Sequence, residues 1–390
     1  MKKSLFVFLL SAVCALSTFA QIQSIWPLPE GLSKYDKNND NLLSGEEITE
    51  KLSRLDLNQD SIVTPSEALF VLAKENFEKE RPDYKAPIFE LPDSIRRENH
   101  EFKNTILISM DGFDRAVIKE LLDANKLLAL RKIARANSDA DAIVNVSLSG
   151  HKTETKTGHA VMLTSLIPEH SLVQSNRYFQ PIPKGYTIFE RIKNHDAQIK
   201  TIFVSSKREN VGAMTAEDLG NREEFGIKIL GGPYLNAKET IDVFSDSDKT
   251  PQQAKERFLK AMEISKDSQF FAFLHFRSPD KEGHGFGRES KEYRDIAIET
   301  DSYIAEILEF LKANNLDKHT RIIITADHGF NPDSSHHNFA PWITMITNDS
   351  ALLTSKTPNL FDIPATIMAS FGIDLESLNP KAFGKNIAEF

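Results

Sequence analysis

Ile322-Ile323-Ile324-Thr325-Ala326-Asp327-His328-Gly329 is the stretch on which the fold turns. Its apolar run is short and bounded by charged and turn residues, which reads as a strand. The run ends in an acid, an imidazole and a glycine, and His336-His337 follow soon after. Ligand-binding side chains at a strand's carboxyl end sit where open α/β sheets place their ligands. Because side chains alternate along a strand, Asp327 and His328 are expected to face opposite ways, so that they can serve two different metal ions.

Two more stretches repeat the pattern. Ile106-Leu107-Ile108-Ser109-Met110 runs into Asp111-Gly112-Phe113, and Phe271-Ala272-Phe273-Leu274-His275-Phe276 is followed by Asp280-Lys281-Glu282-Gly283-His284. Asp280 and His284, close in sequence around a glycine, can close on one ion, and carboxylate with imidazole suits zinc. Strands are predicted over Thr105–Met110, Lys200–Ser205, Phe270–Phe276, Arg321–Ala326 and Trp342–Thr347. Helical patterns lie between them, clearest in the stripe Ile304, Ile307, Leu308 and Leu311. Alternating strands and helices predict an α/β sandwich with a mostly parallel central sheet from residue 103 to the C-terminus.

The front of the chain has a different character. Asp36 to Glu47 fits the loop of an EF-hand: Asp36, Asn38 and Asp40 supply oxygens at alternate positions, Leu42 a carbonyl, Ser44 a water-bridged position and Glu47 the closing carboxylate. A second copy runs from Asp56 through Asn58, Asp60, Ile62 and Thr64 to Glu67. Calcium is a hard cation that wants six to eight oxygens, which explains such clustering. The turn position, normally glycine, is Asn41 in one copy and Ser61 in the other. Serine tolerates a left-handed backbone less readily than asparagine, so the second site is expected to be the weaker. The pair, within residues 21–80, is read as a small helical domain in which calcium is structural. Residues 81–102, with Pro82, Pro87, Pro92 and Arg96-Arg97-Glu98, read as a linker.

The chain has 390 residues, 40% of them apolar and 26% charged, with a net charge of −9. That charge argues against a nucleic-acid groove, which needs a basic surface, but not against a small phosphate ester. Residues 1–20 read as a signal peptide: Lys2 and Lys3, an apolar Leu5–Leu16, and Thr18-Phe19-Ala20 before the cut. The apolar run is too short to span a bilayer, so a secreted or periplasmic protein is expected. A lipid anchor on Cys14, the only cysteine, is the rival reading.

Met110-Asp111-Gly112, Asp280-x-x-Gly-His284, Ala326-Asp327-His328-Gly329 and the tail Leu360 to Ile367 occur in the order found in the alkaline phosphatase superfamily. The chain resembles that superfamily from about Asn104 onward, and most of all its type I phosphodiesterase/nucleotide pyrophosphatase branch. The resemblance implies a nucleophile at a helix start within Glu154-Thr155-Lys156-Thr157-Gly158-His159. Counting back from Thr164-Ser165 puts it at Thr155, with Thr157 as competitor. It further implies two zinc ions: one held by Asp111, Thr155, Asp327 and His328, the other by Asp280, His284 and either His336 or His337, with His336 favoured. Asn176 matches the amide that holds a phosphoryl oxygen in the diesterase branch. The activity implied is hydrolysis of a small phosphate ester, of the diester or pyrophosphate kind. Alternatives are a phosphomonoesterase or phosphotransferase, a sulfatase of the same fold, and an inactive calcium-stabilised binding protein. A sulfatase needs Cys or Ser-x-Pro-x-Arg, where this chain has Thr155, Thr157 and His159.

Overall fold

A computed structural model describes residues 27–56, 61–80, 89–97, 101–148, 150–224, 226–337 and 341–390. The segment read as a signal peptide, together with Asn58 and Asp60, lies outside the described residues. The central sheet has seven strands: β1 Asn104–Met110, β2 Val144–Ser147, β3 Lys200–Ser205, β4 Val243–Ser245, β5 Phe270–Phe276, β6 Thr320–Thr325 and β7 Trp342–Thr347. Their spatial order is β2-β7-β6-β1-β5-β3-β4. The pairs β6·β1, β1·β5, β5·β3 and β3·β4 are parallel, and β7 is antiparallel to both β6 and β2. The sheet is thus mostly parallel, as the alternation of patterns predicts.

Burial explains the composition of the central strands. Every residue of β1 and β5 is buried, because helices cover both faces of the sheet. The stripe Ile304, Ile307 and Leu311 lies on helix Lys291–Ala313 and packs into the same core. No helix among the described residues is long and apolar enough to cross a membrane.

The front unit has its own apolar cluster of Leu28, Leu32, Leu43, Leu52, Leu55, Val63 and Ala68. Leu43–Ser44 pairs antiparallel with Ile62–Val63, joining the two acidic loops. Both turn residues take the left-handed backbone, Asn41 at φ 62° and Ser61 at φ 69°. In each loop the first aspartate accepts that residue's N–H at 3.0 Å, Asp36 from Asn41 and Asp56 from Ser61. Asp36 Oδ1 is buried without a hydrogen-bond donor. Residues 89–97, within the stretch read as a linker, pack on the catalytic unit: Asn145 Nδ2 donates to Phe89 O at 2.8 Å, and Phe89, Leu91 and Ile95 join its core.

The two units also meet at a buried acid. Ser66, opening helix Pro65–Glu80, donates its N–H to Glu169 Oε1 at 3.1 Å. Burial pushes the Glu169 carboxyl up to about 7, against the hydrogen bonds from Ser66. An unfolded glutamate titrates near 4.3, so between about 4.3 and 7 the folded chain holds a proton that the unfolded chain has lost. Stability from this group therefore falls as pH rises through that window. Glu169→Gln, which removes the titration, is expected to raise the thermal midpoint by about 2–4 °C at pH 8 and by much less at pH 5. Melting curves at the two pH values check it, and an equal shift at both rejects it.

Candidate active site

Four parallel strands deliver the site. Asp111 directly follows β1, Lys207 lies just beyond β3, Asp280 opens helix Asp280–Phe286 after β5, and Asp327-His328 follow β6. All four lie at the carboxyl ends of their strands, along one edge of the sheet. Because β7 runs the other way, its start returns to that same edge and carries His337 with it. Two glycines allow the close approach. A methyl group on Gly112, at φ 68°, would stand 2.9 Å from Asp280 Cβ and from the Phe330 ring. One on Gly158 would stand 2.6 Å from the Asp327 carbonyl oxygen.

His328 Nε2 is the hub. It lies 3.3 Å from Asp327 Oδ2, 3.4 Å from Asp111 Oδ1, 3.8 Å from Asp280 Oδ1 and 3.5 Å from Thr155 Oγ1. Asp327 and His328 therefore converge, contrary to the alternation expected of them. The ladder ends at Thr325, so strand geometry no longer governs the next residues. His284 Nε2 lies 3.3 Å from Asp280 Oδ1. The His337 ring stacks on His328 at 3.7 Å and sits 5.0 Å from His284. His336, the one favoured from sequence, is exposed, whereas His337 is buried and held by the Thr153 carbonyl. Asp36, Asn38, Asp40, Leu42, Glu47, Asp56, Ile62 and Glu67 remain in the front unit.

Ligand atoms of Asp111, Asp327 and His328 lie within 4.8 Å of one another, as do those of Asp280, His328 and His337. Asp111 Oδ1, Asp280 Oδ1 and Asp327 Oδ2 are buried with no hydrogen-bond donor. Orphaned carboxylate oxygens are costly unless a cation takes them, and with imidazole nitrogen they form a donor set that fits zinc. Burial and the Asp111 charge push the Asp327 carboxyl well above the usual range. The protein's own groups thus leave that end of the cluster short of positive charge.

Behind the cluster lie two histidines, both held below their ordinary range by burial. His275 Nε2 meets Asp111 Oδ2 at 3.1 Å. His159 Nδ1 meets the Thr155 carbonyl at 2.8 Å, which makes it the donor and leaves Nε2 to accept from Ser109 Oγ at 2.9 Å. These bonds orient the carboxylate and the first helical turn as outer-layer partners do around metal sites.

Thr155 is the first residue of helix Thr155–Thr164, so its hydroxyl stands where a helix favours negative charge. Thr157, the competitor, has a buried hydroxyl that makes no hydrogen bond among the described residues. Asn176 Oδ1 accepts the Lys156 N–H at 2.9 Å, and its own N–H donates to Glu154 Oε2 at 2.6 Å. Among the described residues its side-chain –NH2 has no hydrogen-bond partner, which leaves a donor at the helix start. Lys207 was not legible from sequence. Its ammonium donates to Asp280 Oδ2 at 2.7 Å, Asp111 Oδ2 at 2.8 Å and Thr155 Oγ1 at 3.0 Å. Burial alone would lower this lysine, but the charges of Asp111 and Asp280 outweigh it and hold the ammonium charged.

This fold is shared with solved structures far apart in sequence. One, from a study of glycosaminoglycan metabolism by Bacteroides thetaiotaomicron, superposes with a TM-score of 0.52 at 14% identity, covering 74% of this chain and 76% of the other. A 2-O GAG sulfatase superposes at 0.50 with 12% identity, over 72% and 74% of the two chains. Both have the alkaline-phosphatase-like α/β architecture. The sequence model of the type I phosphodiesterase / nucleotide pyrophosphatase family matches residues 105–384, and the chain belongs to that family. An uncharacterised pyrophosphatase/phosphodiesterase of Schizosaccharomyces pombe is 28% identical over 69% of this chain and 53% of its own length. A GPI ethanolamine phosphate transferase 1 of Emericella nidulans is 24% identical over 61% of this chain and 26% of its own. The chain thus spans about half or less of the length of these relatives.

Proposed function

We propose that the chain is an exported, two-metal hydrolase of phosphate diesters or pyrophosphates that works through Thr155. The observation that carries this is the Thr155 hydroxyl at a helix start, within reach of Lys207 and His328 and beside three carboxylate oxygens that lack donors. Asp111, Thr155, Asp327 and His328 would hold one zinc ion, and Asp280, His284 and His337 the other. When bound, the ions lower the pKa of the threonine hydroxyl and neutralise charge on the phosphoryl group.

The chain's own groups do the rest. Thr155 Oγ1, its proton passed to solvent, bonds to phosphorus as the bond to the leaving oxygen breaks; that oxygen departs with the bonding pair and takes a proton from water, leaving a phosphothreonine. Water then attacks phosphorus, and the bond to Thr155 breaks to restore the hydroxyl. Lys207 donates to Oγ1, favouring the charge that the oxygen carries once its proton has left and again as its bond to phosphorus breaks. The Asn176 –NH2 and the helix N-terminus are placed to donate to the phosphoryl oxygens. In the front unit, Asp36, Asn38, Asp40, the Leu42 carbonyl and Glu47 would bind calcium, as would Asp56, Asn58, Asp60, the Ile62 carbonyl and Glu67. The left-handed turn residues and the orphaned Asp36 oxygen support that reading.

Hydrolysis of bis-p-nitrophenyl phosphate, p-nitrophenyl phosphate and p-nitrophenyl sulfate, with zinc supplied, tests the function. The diester is expected to turn over fastest, by about tenfold or more in kcat/KM. A faster monoester makes the chain a phosphomonoesterase, and a faster sulfate makes it a sulfatase. No turnover of any, with zinc bound, leaves a binding protein.

A further inference from the structure

Lys156 directly follows the proposed nucleophile, and its side chain is only 4% exposed. Its ammonium donates to Asn210 Oδ1 and lies 4.6 Å above the Phe179 ring. No carboxylate pairs with it among the described residues; Glu154 and Glu209 act on it only at longer range. Two other cations, Arg222 and Lys207, act against it. Arg222 lies 5.9 Å from the centre of the same Phe179 ring, with Glu224 as its own partner. A buried cation whose company is one amide oxygen and a ring face is costly to keep, and an anion is what it lacks.

The place of this cation gives the lack a meaning. The Lys156 N–H is tied to Asn176 Oδ1, so the residue is fixed to the helix start that presents Thr155. Asn210 sits on the loop after β3 that also carries Lys207, whose ammonium touches the Thr155 hydroxyl. One loop thus carries both Lys207, which meets the Thr155 hydroxyl, and Asn210, which meets the Lys156 ammonium.

We propose that Lys156, with Arg222 and Phe179 beside it, forms an anion subsite next to Thr155, and that the substrate carries a second acidic group there. This rests on the phosphoester reading of the site and adds to it the class of substrate: a phosphate ester bearing a further carboxylate or phosphate. The second negative charge takes the Asn210 oxygen's place against the ammonium and pairs with it.

Calorimetry on the zinc-loaded full chain tests the subsite without turnover. The probes are propylphosphonate, ω-carboxyalkylphosphonates and alkylene bisphosphonates of increasing chain length. At one length, a doubly acidic probe is expected to bind at least about tenfold tighter than propylphosphonate. The arm that gains, carboxylate or phosphonate, identifies the second group. Lys156→Gln is expected to remove most of that ratio and Lys156→Arg to keep most of it. Asn210→Asp, which leaves Lys156 in place and gives it an internal counter-ion, is expected to remove the ratio as well. A ratio near one at every length in the wild type overturns the subsite alone. So does a ratio that survives in Lys156→Gln or, should that variant not fold, in Asn210→Asp. Failure of propylphosphonate itself to bind overturns the phosphoester reading and the subsite with it.

Discussion

Thr155→Ala is expected to lower turnover of a diester by at least about a thousandfold while folding and metal content stay near normal. The loss follows from removing the proposed nucleophile, and deletions of covalent nucleophiles typically cost several orders of magnitude. Metal content should survive because the carboxylates of Asp111, Asp280 and Asp327 and the imidazoles remain. Thr155→Ser keeps the hydroxyl and should keep measurable activity. Thr157→Ala should cost far less, since that hydroxyl makes no hydrogen bond to the cluster's described residues. Single-turnover kinetics, with trapping of phosphothreonine by acid quench, check the assignment. Near-normal rates in Thr155→Ala, or a collapse in Thr157→Ala, would move the role.

His337→Ala should strip about one of the two metal ions and reduce kcat/KM by about a hundredfold or more. His337 lies buried in the cluster, stacked on His328 and oriented by the Thr153 carbonyl. Its neighbour His336 is exposed, so His336→Ala should stay within about twofold of wild type. Elemental analysis of the two variants side by side reads the difference directly. Equal loss in both, or loss confined to His336→Ala, reverses the choice between them.

Much of this architecture was legible in advance, and the parts that were not share a cause. Strands β3, β5 and β7 run over the residues their apolar patterns marked, because strands buried on both faces are mostly apolar. Val144–Ser147 and Val243–Ser245 escaped notice, being short and only partly buried. The aspartates and histidines beyond β1, β5 and β6 were legible because the motifs recur in one order; a single acid at a strand end is often only a helix cap. Lys207 was not, since Ser205-Ser206-Lys207-Arg208 reads as an ordinary polar loop. It becomes meaningful only when β3 is seen to lie beside β5, which brings its end to Asp111 and Asp280. The pair His336-His337 posed the same difficulty on a smaller scale. Two identical neighbours differ only in where the backbone aims them, and no local pattern records that.

The reversed direction of β7 has a consequence for how this site could be remodelled. The chain leaves the sheet after β6 and re-enters at β7 on the same edge, so no crossover intervenes between His328 and His337. Within that excursion the Asn331 N–H donates to the His336 carbonyl at 2.9 Å, a clasp that pinches off the residues between. Asp333, Ser334 and Ser335 form part of the wall of an open depression that reaches Phe286 and Arg288. This short crown beyond the clasp also reaches back to the cluster, because the Ser335 carbonyl lies 2.8 Å from His284 Nδ1. A change in the crown's length or charge is therefore expected to reach the cluster through His284 as well as to alter the rim.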